Sequence, residues 1–199
     1  MTAIGILVFD QVEVLDFAGP YEVFTTATRV HKRLHPEAHA PFNVFTIAAS
    51  LAVVQARAGL RILPDYTLDT HPAIDTLIVP GGVVDEVVNN PRVINWLHAT
   101  ALRCALTASV CTGAFLLAKA GLLDGKTVTT HWEDQQDLQK QFPSLAVQAE
   151  VRWIDHGTVI TSSGISAGMD MCLHIVERLT NRALAEATAH QLEYIWRRN

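Results

Sequence analysis

The chain has 199 residues, of which 49% are apolar and 18% charged, a balance that suits one folded domain with a substantial core and excludes a disordered chain. Its formal net charge of −5 leaves no basic footprint for nucleic acid. No apolar run reaches the roughly 18 residues that a membrane span needs.

The first ten residues, Met1 to Asp10, carry no basic segment ahead of their apolar run and read as a first strand, not as a signal peptide. The three cysteines, Cys104, Cys111 and Cys172, have no metal-ligand spacing and cannot all pair. Free thiols in a reducing cytoplasm are therefore expected.

Ala3 to Phe9 is a short β-rich run closed by Asp10-Gln11, as a buried parallel strand would be. After a loop, Pro20 predicts the first turn of a helix reaching about Lys32, because its missing N–H costs nothing there. Asp16 stands out among Val14, Leu15, Phe17 and Ala18. It is either a solvated loop carboxylate or a buried acid that must find donors or keep its proton. His31 to Pro41 is polar and proline-containing, hence a loop, and Phe42 to Ala48 is a second strand. Val53-Val54 and Leu60 to Leu63 flank Ala58-Gly59 as a small hairpin. Ile74 to Val79 is another buried strand, ending in Pro80-Gly81-Gly82. Glycines at that place let backbone N–H groups approach an anion, or simply make a tight turn.

Pro91 to Arg103 is predicted as a helix with Val93, Ile94 and Leu97 on one face. Next comes Ala108-Ser109-Val110-Cys111-Thr112-Gly113-Ala114, with a short apolar run before it and good helix formers after it. A strand that turns sharply into a helix needs small residues at the bend, where the backbone is often strained. A cysteine there faces the positive end of the following helix, which favours thiolate. The alternative is a buried structural cysteine. Lys126 to Thr130 is a short strand leading to His131-Trp132. His131 is either a base for the thiol or an ordinary capping or core histidine, and Trp132 is expected to wall a pocket. Glu133 to Gln141 is a polar helix, Val147 to Asp155 and Thr158 to Thr161 form a hairpin around His156-Gly157, and helices follow over residues 167–179 and 182–196.

Alternating strands and helices predict a doubly wound α/β fold, a mostly parallel sheet sandwiched by helices, in a single domain over 1–199. Ligands in such sheets bind beyond the carboxyl ends of the strands. Asp16, Gly81-Gly82 and Cys111 each follow a predicted strand and are expected to meet there.

Taken together, Leu15-Asp16-Phe17-Ala18-Gly19-Pro20-Tyr21-Glu22-Val23-Phe24, Val79-Pro80-Gly81-Gly82, Ser109-Val110-Cys111-Thr112-Gly113-Ala114, Ala120 to Gly125, Thr130-His131-Trp132 and Ser163-Gly164 with Ser166 to Asp170 resemble the ThiJ/PfpI superfamily. Its fold is a flavodoxin-like sandwich related to class I glutamine amidotransferases, and the nearest likeness within it is to isonitrile hydratases and the sensor domains of AraC-type regulators. The resemblance implies Cys111 as nucleophile, Asp16 as its carboxylic partner, and a homodimer. Thr112 stands where peptidase-like members carry histidine, which counts against a Cys-His peptidase. The sequence ends at Asn199, soon after the last predicted helix, so a DNA-binding helix-turn-helix region is not expected.

The leading expectation is hydration of a small-molecule isonitrile to an N-substituted formamide. Cys111 would form a thioimidate, Asp16 would move protons, and Gly81, Gly82, Thr112, Gly113, His131 and Trp132 would line the oxyanion and substrate positions. No metal or organic cofactor is needed. The rival expectations are a glyoxalase-like reaction on 2-oxoaldehydes and a redox or ligand sensor acting through the same cysteine.

Overall fold

Short runs of fully buried residues make the centre of the sheet. The structure, a computed structural model, describes all of residues 1–199. In chain order the elements are β1 (Thr2–Leu7), α1 (Val14–Leu34), β2 (Phe42–Ala48), β3 (Val54–Gln55), β4 (Arg61–Ile62), β5 (Tyr66–Thr67), β6 (Thr76–Val79), α2 (Pro91–Ala101), β7 (Leu106–Val110), α3 (Gly113–Lys119), β8 (Thr127–Val128), α4 (Gln135–Gln141), β9 (Ala146–Val147), β10 (Trp153–Asp155), β11 (Val159–Ser162), α5 (Ala167–Leu179) and α6 (Arg182–Gln191).

Seven strands form the main sheet in the order β10-β11-β7-β6-β1-β2-β5. All its pairings are parallel except β10 with β11. Every residue of β6, β7 and β11 is buried, as strands covered on both faces must be. Helices α1, α5 and α6 pack together on one side, and α2 and α3 pack together on the other. The expected doubly wound sandwich is therefore the observed one. No helix is long and apolar enough to cross a membrane.

The differences from the sequence reading are local. Helix α1 begins at Val14, so Pro20 lies inside it and Asp16 belongs to its first turn. Burial of Phe17, Val23, Phe24 and Ala27 along that helix outweighs the one backbone hydrogen bond that a proline forfeits. The strand expected over 147–155 is divided: Val147 pairs with β8 through β9, and Glu150 takes a left-handed φ of 59° before β10 begins. Helix α2 stops at Ala101, and β5 was not foreseen.

The last helix ends at Gln191 instead of reaching Trp196. The remaining residues fold back over α5 because a buried carboxylate waits there. Asp170 Oδ2 accepts from Arg152 Nε at 2.5 Å and Oδ1 from the Arg197 amide at 2.8 Å, while the Trp196 indole donates to the Asp170 carbonyl at 3.1 Å. Asn199 completes the strap by bonding the backbone of Arg152 and Trp153.

Strands β1, β6 and β7 end at a common edge, and the chain leaving each one is tied to the next. Val12 bridges Gly82, and the Glu13 amide donates to the Gly81 carbonyl at 2.9 Å. Gly113, at the start of α3, lies so close to the end of β6 that an added Cβ would fall 2.1 Å from the Val79 carbonyl oxygen. Gly113→Ala must therefore push two backbones apart. A loss of about 1–3 kcal/mol, read as a lower denaturant midpoint at unchanged slope, is the expected outcome.

Candidate active site

Cys111 sits between β7 and α3 with φ at 56°, a left-handed backbone uncommon for a residue with a side chain. Both ends of that peptide unit are pinned. Its amide donates to the Ser162 carbonyl at 3.2 Å, and its own carbonyl accepts from the buried Thr130 hydroxyl at 2.8 Å. The strand-to-helix corner foreseen around Cys111 is thus a strained one, held by its neighbours on β11 and on the segment after β8. The residue is 6% exposed.

Asp16 is 0% exposed. Its Oδ2 accepts from the Gly81 amide at 3.1 Å, and its Oδ1 is buried with no hydrogen-bond partner. Burial raises its carboxyl from 3.8 to about 7, against opposing contributions from the Gly81 amide and the Cys111 thiol; Glu13 raises it further and Arg57 lowers it. Asp16 is accordingly the buried acid and not the solvated loop residue.

The Cys111 thiol is pushed up, first by burial and then by the Asp16 charge, with the Thr112 amide opposing and Asp134 adding. The expectation of a thiolate stabilised by a helix end is not met in the free site. One short helix cannot offset the loss of water and a carboxylate close by. Around neutral pH the thiol therefore keeps its proton, and the negative charge of the pair, where it is present, sits on the Asp16 carboxylate.

The glycines following β6 differ from expectation in what they donate to. The Gly81 amide is committed to Asp16 and the Gly82 amide to Thr112 Oγ1 at 2.8 Å, whose hydroxyl returns a bond to the Gly82 carbonyl at 2.8 Å. Neither N–H is left for an incoming anion, so the pair serves as a clamp between three loops. A methyl on Gly81 would stand 2.5 Å from the Thr112 amide nitrogen, which explains the bare backbone there. Gly113 packs on β6 and does not face the cavity.

A cavity of about 200 Å³ opens over the sulfur. Gly82, Cys111, Thr112 and His131 line it, together with Glu13, Arg57, Glu133, Asp134 and Ile165, which sequence reasoning did not single out. His131 Nδ1 lies 3.3 Å from Asp134 Oδ2 and accepts from the Glu133 amide at 3.4 Å. Its ring rests on Gly164, where an added Cβ would lie 2.0 Å from Cδ2. The ring is thereby both a cap for the turn after it and part of the cavity wall. Trp132 is 70% exposed and absent from the lining, so the expected wall is not Trp132. Arg57, on the turn between β3 and β4, pairs with Glu13 at 3.1 Å. No cluster of three or more His, Cys, Asp or Glu residues is arranged to hold a metal.

A buried thiol in a strained corner, an acid with a raised pKa beside it and a small polar cavity above suit nucleophilic chemistry on a small electrophile. Comparison with known proteins agrees on ancestry. The model of the DJ-1/PfpI family matches residues 2–178. An isonitrile hydratase of Pseudomonas putida is 33% identical over 193 residues, which cover 96% of this chain and 78% of that one. The HTH-type transcriptional regulator GbdR of Pseudomonas aeruginosa is 34% identical over 192 residues, 96% of this chain but 50% of the regulator, so the chain spans about half its length. The crystal structure of a ThiJ/PfpI family protein from Pseudomonas syringae aligns with a TM-score of 0.84 at 28% identity, covering 97% of this chain and 75% of that one. The resemblance first carried by the residues around Asp16, Gly81 and Cys111 thus holds over nearly the whole chain, which belongs to the DJ-1/PfpI family.

Proposed function

We propose that this chain is a hydro-lyase that converts a small isonitrile to an N-substituted formamide, with Cys111 as nucleophile and Asp16 as its proton partner. The observation that carries the reading is the fully buried Asp16, its carboxyl raised to about 7 beside a cysteine in a left-handed corner. Such an acid is half-protonated near neutrality, where proton transfer in both directions is most effective.

The sulfur bonds to the terminal carbon of the isonitrile while the proton shared by Cys111 and Asp16 moves to that carbon, leaving a thioimidate and an Asp16 carboxylate. Water then adds its oxygen to the same carbon. Asp16 takes one water proton and delivers it to nitrogen. The carbon–sulfur bond breaks as the carbonyl forms, and the released hydroxyl proton returns to the cysteine–aspartate pair. Atoms balance as isonitrile plus water giving formamide, with no metal or organic cofactor required. The Thr112 amide, already turned to the sulfur, stabilises the charge on it as it leaves. His131 and Gly82 shape the cavity and do not enter the steps.

A homodimer, which the resemblance implies, is supported by a partly apolar cleft on α1. There Leu15, Tyr21 and Leu63 stay exposed around Phe17 and Met169. A second reading, a ligand or redox sensor acting through Cys111, is favoured by the match to GbdR across 96% of this chain. Turnover separates the two.

In an assay with an alkyl isonitrile, product formation is expected for the native chain and none for Cys111→Ala. Asp16→Asn is expected to lower kcat by about 10²–10⁴-fold. Absence of turnover in the native chain, with stoichiometric oxidation of Cys111 by peroxide, would select the sensor instead.

The same acid sets a pH dependence of stability. Its folded pKa of about 7 exceeds the ordinary 3.8, so the folded state binds the proton more tightly than the unfolded one. Stability from this group is fullest below about pH 4, falls as pH rises, and is lost above about 7. At about 1.4 kcal/mol for each pH unit the upper bound is roughly 4 kcal/mol. Denaturant midpoints measured from pH 4 to 8 should decline in the native chain and decline less in Asp16→Asn, which is the more stable of the two at pH 8.

A further inference from the structure

The charges around the Cys111 cavity are strongly unequal. Glu13, Glu133 and Asp134 line it, and Asp16 lies buried beside the sulfur. Arg57 is the one permanently charged cation in the lining, and it is already engaged by Glu13 at 3.1 Å. His131 lies between Glu133 at 3.8 Å and Asp134 at 3.3 Å. Glu133 and Asp134 have no Arg or Lys partner. Their side chains are 63% and 37% exposed, so they stand in water at the rim, available to a ligand.

The acidic rim belongs to the cavity built around Cys111. It borders a cavity whose floor is a strained cysteine, and the buried Asp16 Oδ1 beside that cysteine has no partner of its own. Of the nine lining residues only Cys111 and Ile165 are apolar, which gives a bulky hydrocarbon substituent little to pack against.

We propose that the Cys111 cavity is selective for small substrates carrying a positively charged group, an ammonium or its alkylated equivalent, with Glu133 and Asp134 as the specificity-determining residues. The inference rests on Cys111 being the reacting group and deepens the reading above by naming the charge of its substrate. A cation placed between the rim and the sulfur screens Asp16 and Asp134, whose charges add to burial in holding the thiol protonated. The substrate would thus favour ionisation of its own nucleophile on arrival, whereas an anion would be repelled and would leave the thiol as it is.

Matched thiol reagents of opposite charge test this without any knowledge of the substrate. The trimethylammonioethyl and sulfonatoethyl methanethiosulfonates both form a mixed disulfide and release methanesulfinate. Their rates at Cys111, followed by mass spectrometry of the intact chain and its Cys111 peptide at pH 8, are each divided by the rate with free mercaptoethanol. The expected normalised ratio, cation over anion, is about tenfold or more at low salt, shrinking as salt is added. Glu133→Gln combined with Asp134→Asn should bring the ratio close to one, and both substitutions are at solvated positions where folding tolerates them. Arg57→Gln should raise the ratio further. A native ratio near one, or one that the rim substitutions leave unchanged, overturns the proposal. A ratio below one overturns it in favour of Arg57 as an anion-recognising residue.

The isonitrile assay keeps this result separate from the reaction itself. If ammonioalkyl isonitriles are turned over with higher kcat/KM than carboxyalkyl ones, both readings stand. If no isonitrile is turned over while the reagent ratio holds, the reaction fails and the charge selectivity survives.

Discussion

The site depends on one residue being held where its side chain makes the backbone uncomfortable. Cys111 keeps a φ of 56° because the Ser162 carbonyl takes its amide and the Thr130 hydroxyl takes its carbonyl. Such a conformation costs on the order of 1–3 kcal/mol and persists only when the surroundings over-determine it. Those surroundings are the main sheet itself, since β7 and β11 run parallel and in register up to Val110 and Ser162. The stiffness of the sandwich is thereby converted into a fixed position for one sulfur.

The second constraint is electrostatic. Asp16 is carried into the interior by the first turn of α1, and the Gly81 amide meets one of its oxygens while the other has no partner. Burial leaves both groups reluctant to ionise; the Asp16 charge makes ionisation of the thiol harder still, while the thiol eases that of Asp16 in part.

Much of this was legible in the sequence, and for definable reasons. Buried parallel strands are short, mostly apolar runs, so β1 and β6 stand out most plainly, while β2 and β7, which carry Asn43, Thr46, Thr107 and Ser109, are read from their β-rich pattern and their flanking turns. Small residues straight after a strand mark places where backbones approach closely, which is how Gly81, Gly82, Cys111, Thr112 and Gly113 drew attention. Asp16 was conspicuous as a carboxylate in apolar company, though its helix was not, because Pro20 looks like a beginning when it is an interior residue. What stayed hidden was the rim. Glu13, Arg57, Glu133 and Asp134 are polar residues of loops and short turns, and nothing in their spacing distinguishes them from ordinary solvated surface. Arg57 reaches the cavity only because the β3–β4 turn is tied back to it through the bond from its amide to the Val12 carbonyl at 3.0 Å, a long-range closure that periodicity does not record. The C-terminal strap was missed for a similar reason: its order comes from Asp170, not from a helical pattern.

The committed amides of Gly81 and Gly82 have a wider meaning. A pocket that offers its main chain to a guest is bound to whatever shape and polarity that main chain dictates. Here those donors are spent inside the protein, and on the proposed reading a visiting molecule would be read chiefly by side chains of the short turns at the rim. On that reading, reactivity and recognition would be anchored in different parts of the architecture: the first at the end of the main sheet, the second in exposed turns at the cavity rim. A scaffold divided in this way could be retuned to new guests one rim residue at a time, with the position of its Cys111 sulfur left unchanged.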